Sequence, residues 1–166
     1  HIHMPVIHIP THGNNEQMTQ INDHVHSGKP AFVLLHMDSC GPCRQTRPEW
    51  MKLEDKYSSH PDIGIFDVEM AQIEHINHPE LKEVSGFPTM RYIKNNQCED
   101  YESCSSIRPD RSYDSFLKWI ESKEGKLKLK GGKVKRKYKR KTFSKKKSKK
   151  GKRKTKKRKT RRAKRK

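Results

Sequence analysis

Two thiols with two residues between them, Cys40-Gly41-Pro42-Cys43, form the pair in this sequence best suited to chemistry. A thiol in the first turn of a helix meets unpaired backbone N–H groups and the positive end of the helix dipole, which favour the thiolate; a thiol one turn further in is more enclosed. If the pair opens a helix, Cys40 is therefore the attacking thiol and Cys43 the resolving one. The spacing lets Cys43 attack a mixed disulfide formed at Cys40, releasing reduced substrate and leaving a 40–43 disulfide. Pro42 suits that first turn, where its missing N–H would be unpaired in any case. Two readings compete: inert buried thiols, or half of a zinc site completed by Cys98 and Cys104. Zinc sites space their ligand pairs by about two to four residues, and five separate Cys98 from Cys104, so neither a metal nor a cofactor is expected.

Phe87-Pro88, with Gly86 before it and Thr89 after it, is a second candidate. The bond preceding proline is the one common place for a cis peptide, and such a turn exposes unpaired backbone to an extended substrate. Alone, the dipeptide reads as an ordinary turn into a strand. Cys98 and Cys104 would lie about 20 Å apart on an extended strand, too far for a disulfide unless the chain folds back. They are read as independent thiols, with redox-regulatory or intermolecular pairing as the alternative. Four of the ten histidines fall in the first twelve residues and are read as a tag-like arm.

The elements that must position these groups follow from periodicity. Residues 1–15, with Pro5, Pro10 and Gly13-Asn14-Asn15, read as a flexible arm ending in a turn. Met18, Ile21 and Val25 mark one face of a short helix over 16–25, and Gly28-Lys29-Pro30 ends it. Residues 31–37 are apolar except for His36, as expected of a strand buried on both faces. Asp38 and Ser39 are suited to cap a helix running past Trp50 and Leu53 to about Tyr57. Strands are expected over 63–68, 89–93 and 97–104, with a short helix at 79–84 and a hairpin turn at Asn95-Asn96. Asp110 is placed as the cap of a last helix whose apolar face holds Tyr113, Phe116, Leu117 and Ile120. This alternation implies an α/β fold, a mixed central sheet with helices on both faces.

Charge divides the chain. Its 166 residues carry a formal +20 with 30% hydrophobic residues, which excludes one compact core over the whole length. Residues 124–166 hold 27 Lys and Arg against one acid, a charge of +26, whereas residues 1–123 hold 12 Lys and Arg against 18 acids, a charge of −6. A domain over 16–123 is large enough for one core. The segment 124–166 has too little apolar surface to offset the entropy of ordering and is expected to be a disordered basic tail. Runs such as Lys145-Lys146-Lys147 suit non-specific binding to nucleic acid or another polyanion, with steep salt dependence. No apolar run approaches the roughly 20 residues of a transmembrane helix. No signal peptide is read at His1-Ile2-His3-Met4-Pro5, so an intracellular location, cytoplasm or nucleus, is expected rather than secretion.

With Asp38-Ser39-Cys40-Gly41-Pro42-Cys43, Pro48 five residues later and Gly86-Phe87-Pro88-Thr89 about 45 residues further on, the segment resembles the thioredoxin family. The resemblance covers roughly 16–123. It implies a thioredoxin-like fold, a protein disulfide oxidoreductase working on disulfide-containing proteins, and a cis Pro88 facing the active disulfide. By the same resemblance Gly41, Pro42, Phe87 and Pro88 contact substrate, and Pro48 bends the active-site helix. Gly41-Pro42 is closer to reducing thioredoxins, whereas Tyr101 and the stretch 111–120 are closer to protein disulfide isomerases. Two departures stand out: Ser39 where the family usually has Trp, and Leu34 where most members bury an acid. They imply slower exchange, with a potential between about −270 and −180 mV. They also sustain the alternative of a redox-impaired binding or virion structural module whose tail is the functional part. Such a tail resembles those of virion components of large DNA viruses.

Overall fold

The computed structural model describes residues 5–107 and 110–126, so the expected tail lies outside the described residues apart from its first three positions. Five strands form one sheet in the order β1-β3-β2-β4-β5. They are β1 (Val6–Ile9), β2 (Ala31–His36), β3 (Gly64–Glu69), β4 (Thr89–Lys94) and β5 (Gln97–Asp100). β3 runs parallel to both β1 and β2, while β4 is antiparallel to β2 and β5 to β4. The sheet is mixed, as the alternation of patterns implied.

Helices cover both faces. On one side α2 (Gly41–Met51), α3 (Leu53–Tyr57) and α5 (Tyr113–Glu124) bury Trp50, Leu53, Tyr57, Phe116, Trp119 and Ile120 against Phe32, Leu34 and Ile65. Aromatic rings interlock there, with Trp119 edge-on to Phe32 and Trp50 edge-on to Phe116. On the other side α1 (Asn15–His26), a 3-10 helix (Met70–His75) and α4 (Pro79–Lys82) pack Met18, Ile21, Val25, Ile73 and Leu81 onto Val33, Leu35 and Val68. Alternate residues of β2 thus serve opposite cores, and all six of its residues are buried. The Asn95-Asn96 turn forms as expected: both residues adopt positive φ, 49° and 63°, which asparagine tolerates better than most residues.

Four expectations are corrected. The flexible arm read over residues 1–15 contains the edge strand β1, paired to β3 from Val6↔Ile65 to Ile9↔Val68; four residues between two prolines are too short for a convincing periodicity. The helix expected to run to Tyr57 is divided at Lys52 into α2 and α3, with Pro48 inside α2. The strand expected over 97–104 ends at Asp100, and a 3-10 helix (Tyr101–Ser103) follows. The cap of α5 is Ser112, whose side chain accepts the Ser115 N–H at 3.2 Å, while Asp110 accepts the Ser112 N–H one step earlier. Glu124, the last residue of α5, accepts hydrogen bonds from Tyr92 and Lys94 of β4, which ties the helix end to the sheet.

Candidate redox site

The buried strand β2 ends at His36, and residues 37–39 lead straight into α2. Cys40, not Asp38 or Ser39, is the N-cap of α2: its backbone is extended (φ −81°, ψ 120°) and its Sγ accepts the Cys43 N–H at 3.2 Å. The cap thus presents a sulfur to the unpaired N–H groups of the first turn, where negative charge is favoured. Cys40 and Cys43 are joined as a disulfide with their Cα atoms 5.2 Å apart. Cys43 has no exposed surface and Cys40 is 9% exposed, so an incoming group meets Cys40. Pro42 occupies the first turn, and its carbonyl accepts the Thr46 hydroxyl at 2.9 Å.

The second motif comes to the same place. The Phe87-Pro88 peptide is cis, and the Phe87 carbonyl oxygen lies 3.7 Å from Cys40 Sγ. The structure therefore brings Cys40, Gly41, Pro42, Cys43, Phe87 and Pro88 together, with Gly41, Pro42 and part of Phe87 at the surface and Cys43 and Pro88 buried beneath it. A side chain added at Gly41 or Gly86 would meet no atom within 4 Å, so the approach beside the sulfurs is open. Ser39 is exposed at its margin.

Beside the strand that leads to the disulfide the interior is charged. Leu34 is wholly buried among apolar residues, and its parallel partner in the sheet register is Asp67 of β3. Asp67 is 1% exposed. Its carboxylate binds His8 of β1 on one oxygen and His36 Nε2 of β2 at 3.1 Å on the other, with Arg47 of α2 3.8 Å away. Burial pushes the Asp67 carboxyl up, but the hydrogen bonds from His36 and His8 outweigh it and hold the pKa below its ordinary value. The hydrogen bond to Asp67 raises His8 despite partial burial, with Glu54 adding to the effect. Sequence reading missed Asp67. The one available signal was an acid interrupting an otherwise apolar strand, and its partners lie 59 and 31 residues away.

Cys98 and Cys104 are both free thiols. The chain does turn back after Asp100, yet Cys98 packs against the core on the α1 side and Cys104 against the core on the α5 side. They stand as separate thiols. Burial pushes the Cys98 thiol up to about 11. Cys104 is also opposed by burial, but hydrogen bonds with Ser106 and the nearby Lys123 bring it below its ordinary value. The histidine-rich start is likewise not one arm, since His8 belongs to the sheet. Among the described residues no group of three or more His, Cys, Asp or Glu side chains is arranged to hold a metal ion.

The sequence model of the thioredoxin family matches residues 11–121. The chain belongs to the thioredoxin family. It is similar to protein disulfide-isomerase of Oryctolagus cuniculus, with 31% identity over 97 residues that cover 57% of this chain and 17% of that protein. It is also similar to protein disulfide-isomerase 1 of Dictyostelium discoideum, with 26% identity over 106 residues covering 64% of this chain and 28% of that protein. The chain thus spans less than a third of the length of these relatives. Among solved structures, the J-Trx1 fragment of ERdj5 superimposes with a TM-score of 0.52 at 17% identity over 72% of this chain and 51% of that one. Human ERp44 form I gives a TM-score of 0.52 at 15% identity, over 75% of this chain and 30% of that one. These likenesses show the thioredoxin fold. Within it, the buried Leu34 of β2 stands beside a buried acid on the adjacent strand, Asp67.

Proposed function

We propose that the chain is a protein thiol-disulfide oxidoreductase in which Cys40 is the nucleophile and Cys43 the resolving thiol. The observation that carries this reading is the Cys40–Cys43 disulfide at the N-terminus of α2, with Cys40 the more exposed partner and the Phe87 carbonyl beside its sulfur. In the reducing direction the Cys40 thiolate attacks one sulfur of a substrate disulfide, and the other substrate sulfur leaves as a thiolate. Cys43, losing its proton, then attacks Cys40 Sγ and expels the second substrate thiolate. The substrate gains two electrons and the protein is left as the disulfide seen here; the oxidising direction is the reverse. Gly41, Pro42 and Phe87 form the surface on which an extended substrate segment lies, with the Phe87 backbone as a pairing group and the buried Pro88 holding that turn from beneath.

Reduction of insulin driven by a small dithiol tests the proposal. The wild-type chain is expected to exceed a Cys40→Ser variant by at least about a hundredfold, the scale on which loss of a covalent nucleophile acts. Equal rates would overturn the enzyme reading and leave a thioredoxin-like binding module. The lysine and arginine run after residue 126 supports a second part of the proposal, that the chain is tethered by its tail to nucleic acid or a comparable polyanion. An intracellular site of action, including a particle that packages nucleic acid, fits that partner.

A further inference from the structure

Four charged or titratable side chains from four different elements meet beneath the redox loop: His8 of β1, His36 of β2, Asp67 of β3 and Arg47 of α2. The exchange chemistry above uses none of them. Burying such a group is costly, and apolar side chains of similar volume serve stability as well or better, so this placement calls for a role beyond packing. The geometry shows where the group leads. Arg47 stands between two carboxylates, with Nη2 3.8 Å from Asp67 and Nη1 4.0 Å from Asp38. His36 does the same with its ring: Nε2 binds Asp67, while Nδ1, which has no hydrogen-bond partner, faces Asp38 across 3.9 Å. Asp38 lies two residues before Cys40. It is held further by the Thr11 hydroxyl at 2.7 Å and, through its own N–H, by Glu69 at 3.4 Å.

We infer that Asp67, His36, His8 and Arg47 form a positioning device for the redox loop, which fixes Asp38 at its base and sets how readily Cys40 carries negative charge. The inference rests on the exchange reaction proposed above, and its residues act through Asp38 and through the local field, not on the sulfurs directly. Asp67 contributes a negative charge from the interior and Arg47 a positive one from α2. His8, which bonds to Asp67, belongs to the same charge balance. The other charged groups facing the cluster are Glu54 of α3 against His8, and Asp38 and Glu69 at the loop. Arg47 sits one helical turn beyond Cys43 on α2, so the device is attached to the active-site helix as well as to the strand that precedes it.

The sign of each charge gives a test that simple damage would not reproduce. In the reduced full-length protein, the rate of Cys40 alkylation by iodoacetamide is followed against pH, with modification mapped by mass. Asp67→Asn removes a negative charge and is expected to lower the midpoint of the profile, whereas Arg47→Gln removes a positive charge and is expected to raise it. Each shift should be about half a pH unit or more, the scale for a charge at the edge of its interaction range. The double variant should fall between the two. Profiles that superimpose on wild type in folded variants, or that move in the same direction, would overturn the inference. If Asp67→Asn does not fold, Arg47→Gln decides alone, because the side chain is partly exposed on the surface of α2: a raised midpoint supports the inference and an unmoved one overturns it. Alkylation reads Cys40 ionisation directly, so this result is separate from the success or failure of the insulin assay.

Discussion

Cys43 is sealed inside the molecule and its N–H is already spent on Cys40 Sγ, so each half of the disulfide has a different chemical reach. A substrate sulfur can approach Cys40, whereas Cys43 is placed to approach only Cys40. Replacing Cys43 by Ser is therefore expected to leave attack intact and block resolution, so that the covalent intermediate accumulates. Reduced and then incubated with denatured proteins that keep their disulfides, Cys43→Ser should yield a dithiothreitol-sensitive adduct on a non-reducing gel, mapped by mass to Cys40. Cys40→Ser should yield none. An adduct through Cys104, whose thiol is brought below its ordinary pKa, against the effect of burial, by hydrogen bonds with Ser106 and the nearby Lys123, would show that the more exposed active-site sulfur is not the preferred nucleophile. Ser39 leaves the margin of the site polar and open, and the bare Gly41 and Gly86 do the same on its other sides. On the proposed function, substrate grip would then come from backbone at Phe87 and from the apolar faces of Pro42 and Phe87.

The edge strand β1 shows at the scale of elements how a titrating side chain holds backbone in place. His8 lies opposite Asp67 in the β1–β3 register and bonds to it. Its folded pKa is raised by that bond, so the stabilisation is complete below the ordinary histidine value near 6.5 and is lost as pH rises through the higher folded value. Asp67 is shifted the other way, so its share is present above the ordinary carboxylate value and is lost as pH falls through the lower folded one. Urea midpoints of the oxidised protein should therefore decline as pH rises from about 6 through the folded His8 value, and His8→Gln should lack that portion of the decline. Equal pH dependence in the two proteins would show that β1 is held by its apolar residues alone. The same strand marks the limit of legibility in the sequence. β2 is readable because its apolar run is broken only at His36, β3 because its apolar residues, interrupted by one acid, fill a span of strand length, and the Cys40–Cys43 pair because its spacing carries its own chemistry. β1 was not, because its four residues gain order only from a neighbour nearly 60 positions away. The Leu34 position announced a missing acid, yet only the strand register reveals that Asp67 stands beside it. Likewise, no local pattern distinguishes a strand through Cys104 from one that stops at Asp100 and turns.

At the scale of the whole molecule, the two halves of the charge distribution make a prediction that the redox site does not enter. Residues 1–123 carry −6, and Glu124 and Lys126 cancel, so a chain ending at residue 126 keeps α5 with its Glu124 contacts intact and is repelled by polyanions. Cutting at 123 would remove that carboxylate from Tyr92 and Lys94 and confuse lost binding with a loosened helix. The full chain adds 26 further Lys and Arg, spaced closely enough to neutralise on the order of ten phosphates at once, which gives a slope of log K against log salt of about −9 on duplex DNA. Affinity should then fall by a factor of about 100,000 between 50 and 200 mM salt, with little preference among sequences. Fluorescence anisotropy of a labelled duplex, read across a salt series with the full chain and with residues 1–126, checks this. Equal binding by the two chains, or a flat salt response of the full chain, would remove the polyanion partner from the proposal while leaving the thiol chemistry untouched, because no charge of the tail is needed to place Cys40 at the end of α2.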